Sequence, residues 1–312
     1  MTDDRLNITA VILTKNEERN LTKALESINK NVKKIIVIDS FSNDSTVDIA
    51  RTFGCEVIQH KSATQSTIYQ WFFENYNIVT KWVMRVDADE RWTENGFDEL
   101  RRIISANEVD GVYVNRKTYF MNKPIMHGGY YPIRLLLVWR LGTVSVENRL
   151  MDEHFICNGK TTLSNIDVLE QNYDRQSNLY FWTDKHNKYS DRYAAESILM
   201  DYGLIERNRL KFDIKNFTTI KSFLRVGFYD KAPLFIRPIL YYMFRYFIQG
   251  GFLDGKEGFI YHYLQAFWFR FLVDSKIFQM KKEIKNTNLS PIDYLREHHK
   301  IILINGKIYF SD

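Results

Sequence analysis

Cysteine is almost absent: the 312 residues hold two, Cys55 and Cys157. They stand in no metal-ligand spacing, which excludes a disulfide framework and agrees with a reducing compartment. Long apolar runs are missing as well. The nearest approach, "LFIRPILYYMFRYFI", is interrupted by Arg237 and Arg245, so no membrane-spanning helix is expected. The opening "MTDDRLNITAVIL" is acidic at once and lacks a basic segment followed by an apolar one, so no signal peptide is expected. Glycine-rich phosphate loops do not occur. No G-x-G-x-x-G follows the first strand-like segment and no G-x-x-x-x-G-K-[ST] appears anywhere, which disfavours dinucleotide-binding and P-loop readings. Repeats and low-complexity tracts are absent too. Excess charge is small, +5 from 43 Lys/Arg against 38 Asp/Glu. With no recognised motif, it gives no reason to expect nucleic acid, although it suits an anionic membrane surface or phosphorylated ligands.

What is present is an ordinary globular balance, 45% hydrophobic and 26% charged, with a high aromatic share of 15%. In the first half, strand-like and helix-like segments alternate. "ITAVILT", "KKIIVID", "CEVIQH" and "KWVMRVD" read as buried strands. Between them, "NEERNLTKALESI", "SNDSTVDIARTFG" and "STIYQWFFENY" read as helices, with Asn16 and Asp44 as N-caps and Gly54 as a stop. This order predicts a mostly parallel α/β sheet covered on both faces, with ligands at the carboxyl ends of its strands. The polar residues at those ends, Lys15-Asn16-Glu17, Asp39 and Asp87/Asp89, are therefore expected to share one crevice. From residue 111 onward, strands without intervening helices are expected, including a hairpin turning at Asn158-Gly159. A long helix ended by Gly203 follows, then a basic, aromatic helical region from about residue 216.

Asp87 and Asp89 follow a buried strand directly, with Glu90 behind them. Two hard oxygen donors in a D-x-D arrangement suit Mn²⁺ or Mg²⁺ bound together with substrate phosphates. The plainer reading is a solvated loop capping the next helix. Asp39 could accept from a nucleobase or a ribose hydroxyl, or simply form the turn ahead of Asp44.

"AVILTKNEERNL", "IIVIDSFSNDST" and "VMRVDADE", in this order and spacing, resemble the first half of an inverting family 2 glycosyltransferase of GT-A type. The likeness is to bacterial lipooligosaccharide glucosyltransferase-like and capsule or exopolysaccharide enzymes. "GGYYPIRLLLVWR", "MDEHF" and "GGFLDGKEGFIYHYLQAFWFRFLVDSK" extend it through most of the chain. The resemblance implies a GT-A-like catalytic region over 1–215, its nucleotide-sugar half about 1–110 and its acceptor half about 111–215. It also implies a nucleotide-sugar donor, most often UDP-linked, with Thr14, Asn16 and Glu17 along the nucleoside and Asp39 at the base. Asp87 would face ribose or metal, and Asp89 would be the principal ligand of Mn²⁺ or Mg²⁺. Inverting transfer needs a base for the acceptor hydroxyl; the resemblance points to Glu153, with Asp152 as the other choice and His154 as a further metal ligand or a mere neighbour. The chain departs from the family's "VDDGSTDGT", with Ser40 for the second Asp and Phe41 for the Gly, while Asp39 and Asp44 keep their places.

Residues 216–312 mix aromatics with Arg and Lys at about one-turn intervals, as in a helix lying in a membrane interface. A packed subdomain or a dimer interface would show the same composition. His186, with Lys185 and Lys188 on a predicted helix, could face a diphosphate or belong to a solvated face. Together these readings predict transfer of a sugar to a lipid-linked or cell-surface glycan precursor, in the cytoplasm and at the inner face of the membrane. A nucleotide-sugar phosphatase or pyrophosphorylase, and a non-catalytic membrane scaffold, are the rival readings.

Overall fold

The computed structural model describes residues 4–62, 64–146, 155–173, 178–205, 229, 232–287, 289–304 and 307–310. The chain divides into two compact units, one formed by residues 1–126 and 130–179, the other by 127–129 and 180–312.

The first unit is a curled α/β sheet. Strand β1 (Leu6–Thr14) is followed by α1 (Glu18–Ile28), β2 (Val32–Asp39), α2 (Thr46–Thr52), β3 (Glu56–Gln59), α3 (Gln65–Asn75) and β4 (Trp82–Asp87). Then come β5 (Glu90–Trp92), α4 (Glu94–Ala106), β6 (Gly111–Phe120), β7 (Lys123–Pro124) and β8 (Ile133–Arg140). Strands β9 (Val144–Val146), β10 (Phe155–Cys157) and β11 (Thr161–Glu170) complete this part. The strand order is β3-β2-β1-β4-β8-β6-β11-β5, with β7 beside β6. Strands β3, β2, β1 and β4 run parallel to one another, and β11 runs parallel to β6. Strand β8 is antiparallel to both its neighbours.

Alternation along each strand fills both faces of the sheet. Ile8, Ala10 and Ile12 of β1, with Trp82, Met84 and Val86 of β4, pack against Leu21, Leu25 and Ile28 of α1 and Phe97 and Leu100 of α4. The opposite set, Val11, Ile36, Ile38 and Val83, packs against Ile68, Tyr69 and Phe72 of α3. Polar caps mark the helix starts. Thr64 accepts the Thr67 N–H ahead of α3, and Thr93 accepts the Gly96 N–H ahead of α4.

Two local expectations change. Asn158-Gly159 does not turn a hairpin, because β10 pairs with β9 while β11 crosses to lie parallel to β6. The turn is held from elsewhere: the Asp110 carboxylate accepts the Lys160 N–H at 3.1 Å. Asn16 does not cap α1 either. It takes a left-handed conformation at φ +55°, and Asp44 accepts the first helical N–H, that of Glu18, at 3.3 Å. The same carboxylate accepts the Thr46 N–H at 3.0 Å, so Asp44 serves the starts of both α1 and α2.

The second unit is mainly helical. It contains α5 (Leu179–Asp201) from its second residue on, then α6 (Ile236–Met243), which continues into a π-helical turn at Phe244–Ile248. Helices α7 (Gly255–His262), α8 (Phe269–Thr287) and α9 (Pro291–His299) follow, and β12 (Ile301–Ile304) pairs with β13 (Lys307–Phe310). A buried ion pair anchors it. Arg237 Nε lies 2.8 Å from Asp274 Oδ1, and Asp274 also accepts the Phe235 N–H at 2.9 Å. Residues 127–129 are held here by Asp254, which accepts the His127 N–H at 3.0 Å and meets His127 Nδ1 at 2.6 Å. Gly128 admits no larger residue, since a Cβ there would lie 1.9 Å from Cε1 of the buried His262.

Candidate active site

Strand pairing brings the carboxyl ends of β1, β2 and β4 level. Thr14 is in register with Asp39 across β1 and β2, and Leu13 with Asp87 across β1 and β4. The loops after β1 and β2 are then zipped together. Asn16 N–H donates to Ser42 Oγ at 2.8 Å, Asn43 N–H donates to Asn16 Oδ1 at 3.0 Å, and Glu17 N–H donates to Thr46 Oγ1 at 2.8 Å. Lys15 Nζ donates to the Phe41 carbonyl. Thr14, Asn16, Glu17 and Asp39 are thus one assembly.

Asp39, expected near a nucleobase, has no exposed surface. Its carboxylate accepts from Thr14 Oγ1 at 3.0 Å, Ser42 N–H at 2.8 Å and Ser42 Oγ at 2.5 Å. It braces the loop from beneath. That loop puts Phe41 at φ +59°, a conformation that favours glycine and costs a side chain about 1–2 kcal/mol.

The carboxylates after β4 each have a different partner. Asp87 is half-buried and pairs with Arg85 Nε at 3.1 Å. Asp89 Oδ2 accepts from Asn172 Nδ2 at 3.0 Å, while the Asp89 carbonyl accepts the Gln171 N–H at 2.9 Å. Segment 171–173 is itself fixed to α1, since Asn20 Oδ1 accepts the Tyr173 N–H at 2.9 Å. Glu90 is fully buried and accepts the Asp87 N–H at 3.1 Å, so it orients its neighbour from behind. Burial, then the Asp87 charge, pushes the Glu90 carboxyl well above the usual carboxylate range. Arg116, whose Nε lies 3.6 Å from Glu170 Oε2, supplies the opposing charge. Burial works against the charge of that guanidinium, but Glu170, Glu90 and Asp87 outweigh it and hold its pKa above the ordinary arginine value.

The chemistry of this donor set suits a hard divalent cation. Among the described residues no group of three or more His, Cys, Asp and Glu forms a ready cage. Asp87 and Asp89 instead offer two carboxylates, and Mg²⁺-type ions are commonly held by one or two carboxylates plus substrate phosphates and water. The residues fit a cation that arrives with its phosphates. Asp152, Glu153 and His154 lie outside the described residues. His186 belongs to a packed cluster in the second unit. It stacks on Trp182 at 3.5 Å between ring centroids, and its Nδ1–H donates to the Trp182 carbonyl at 2.8 Å. Burial pushes its pKa down to about 4.

Sequence reading missed Asn172, Arg85, Arg116 and Asn20. Arg85 was in plain view two residues before Asp87, on the same strand face. Asn172 and Arg116 carry no local signal.

Ligands of open α/β sheets bind outside the carboxyl ends of the strands, and it is there that β1, β2 and β4 gather hydroxyl, amide and carboxylate groups. The chain belongs to glycosyl transferase family 2, whose model matches residues 9–172; it is a glycosyltransferase. An uncharacterized glycosyltransferase of Rickettsia conorii is 24% identical over 290 residues, covering 92% of this chain and 94% of that relative. One of Rickettsia typhi is 34% identical over 103 residues; the match spans 33% of this chain and only 35% of that relative. Among solved structures, S. aureus TarS 1-349 in complex with UDP-GlcNAc aligns with 98% of this chain and 99% of its own, at 12% identity and a TM-score of 0.43.

Proposed function

We propose that this glycosyltransferase moves a sugar from a nucleoside-diphosphate donor, UDP-linked, to a lipid-linked or cell-surface glycan precursor with inversion. The observation that carries the reading is the strand register that sets Thr14 beside Asp39 and Leu13 beside Asp87 at the ends of three adjacent parallel strands, with Asp89 held nearby by Asn172. In this reading Thr14, Asn16 and Glu17 line the nucleoside, and Asp39 acts on the base through the loop it braces. Asp89 and Asp87 hold Mn²⁺ or Mg²⁺, with His154 as a further candidate ligand. A bound cation would offset the negative charge on the departing diphosphate. Glu153, or failing it Asp152, takes the proton of the acceptor hydroxyl as that oxygen attacks the anomeric carbon.

The membrane part of this reading rests on the second unit. No helix of the described residues is long and apolar enough to cross a membrane. One face of α6 and its π-helical continuation nevertheless exposes Ile236, Ile239, Leu240, Met243, Phe244, Phe247 and Ile248. This spacing is a single helical stripe, and residues 216–312 carry 14 Lys/Arg against 8 Asp/Glu. Both features support peripheral association with an anionic membrane, on its cytoplasmic face, where a lipid-linked acceptor would be presented.

Calorimetric titration with UDP, GDP and dTDP, each with and without Mn²⁺, tests the donor. Binding that requires Mn²⁺ and is lost in Asp89→Ala is expected, and undiminished metal-dependent binding in that variant would remove the metal assignment. Release of product without any acceptor would favour the phosphatase or pyrophosphorylase reading. No binding by any nucleotide would favour the scaffold.

A further inference from the structure

Phe41 is strained and exposed at once. Its φ of +59° lies in the left-handed region that bulky residues rarely adopt, and its side chain remains 53% exposed. Burial of the other half of the ring offsets only part of the strain. The conformation is imposed by the neighbours. Ser40 N–H donates to the Thr14 carbonyl at 2.9 Å, Ser42 N–H donates to Asp39 at 2.8 Å, and Lys15 Nζ holds the Phe41 carbonyl itself. A glycine, which the family pattern carries here, would meet the same backbone demand without penalty. Strain kept at an exposed position points to a role in binding.

We propose that the Phe41 ring is a stacking surface for the nucleobase of the donor and so a determinant of its affinity. The inference rests on the nucleotide-donor reading above. Its location carries it: Phe41 sits between Asp39 and Ser42, in the loop zipped to Asn16 at the carboxyl ends of β1 and β2. A phenyl face has no hydrogen-bonding group, so it adds affinity for any base and discriminates only by stacking strength. The sugar and diphosphate gain nothing from it.

The test is calorimetric titration of UDP and of inorganic pyrophosphate, each with Mn²⁺, into wild type, Phe41→Gly, Phe41→Leu and Phe41→Trp, with thermal unfolding of each. Phe41→Gly should bind UDP about tenfold more weakly, bind pyrophosphate as wild type does, and unfold at the same or a higher temperature. Phe41→Leu should be weakened similarly, and Phe41→Trp should bind UDP at least as tightly as wild type. UDP affinity within twofold of wild type in both the Gly and the Leu variants overturns the proposal and leaves the donor reading standing. Equal weakening of pyrophosphate also overturns it, because the loop rather than the ring would then be responsible. Wild-type protein that binds none of UDP, GDP and dTDP removes the donor reading and this proposal together.

Discussion

Replacing Asp39 asks whether the loop after β2 is held by hydrogen-bond geometry or by charge. The buried carboxylate accepts three hydrogen bonds, from Thr14 Oγ1, Ser42 N–H and Ser42 Oγ. In Asp39→Asn, an amide oxygen turned toward the Ser42 N–H leaves the NH₂ facing the two hydroxyls. Those hydroxyls can rotate and accept, so every contact survives. The loss is the difference between charged and neutral hydrogen bonds, about 1–2 kcal/mol in total. Asp39→Ala leaves the Ser42 N–H and both hydroxyls without their acceptor and opens a small void, at a cost of about 3–4 kcal/mol. Thr14→Val, which removes one of the three donors, should cost about 1 kcal/mol. Urea unfolding of the three variants at neutral pH measures this order. An Asn variant as unstable as the Ala variant refutes the geometric account and makes the charge itself the brace. Costs below about 0.5 kcal/mol in all three would show that the loop is held elsewhere. Titrating UDP into Asp39→Asn adds a functional arm. Affinity within about threefold of wild type fits action through the loop, whereas a stable variant that no longer binds would place the charge against the base.

Asp274→Ala leaves the Arg237 guanidinium buried without its carboxylate and should destabilise the second unit by about 3–5 kcal/mol, with much of the loss recovered in an Arg237→Met/Asp274→Leu double variant. A loss below about 1 kcal/mol by calorimetry would mean that the pair is solvated. His186, held down to about 4 by burial and flanked by Lys185, favours its neutral form in the fold. Its contribution to stability is therefore complete above its unfolded pKa of about 6.5 and falls away as pH drops toward 4, by about 1–3 kcal/mol. In His186→Phe this part of the pH dependence should vanish; an unchanged profile from pH 7 to 4 would show that other groups govern acid unfolding.

The alternation of β-branched apolar runs with amphipathic segments was enough to read β1 to β4 and the helices between them. That pattern is local: a period of two or of 3.6 residues reports which face of an element must be dry. The polar groups closing those strands were legible for the same reason, since Thr14, Asp39 and Asp87 interrupt runs that are otherwise buried. Phe41 was visible as a departure from a glycine position, but its strain and exposure were not.

Partners distant along the chain decided the rest. Asn172 reaches Asp89 across 83 residues, and Ser42 meets Asn16 across 26. Strand β11 rejects the hairpin that Asn158-Gly159 invites because parallel pairing with β6 buries Ile166 and Val168. The sequence by itself determined where the carboxylates stand along the chain and that they close buried strands. Only the tertiary structure decided what each one does: Asp39 braces, Glu90 orients from within, and Asp87 and Asp89 remain half-buried at the strand end. The physical reason is that a side chain's type is written locally, whereas its burial and its partners are set by strands that come together from across the chain.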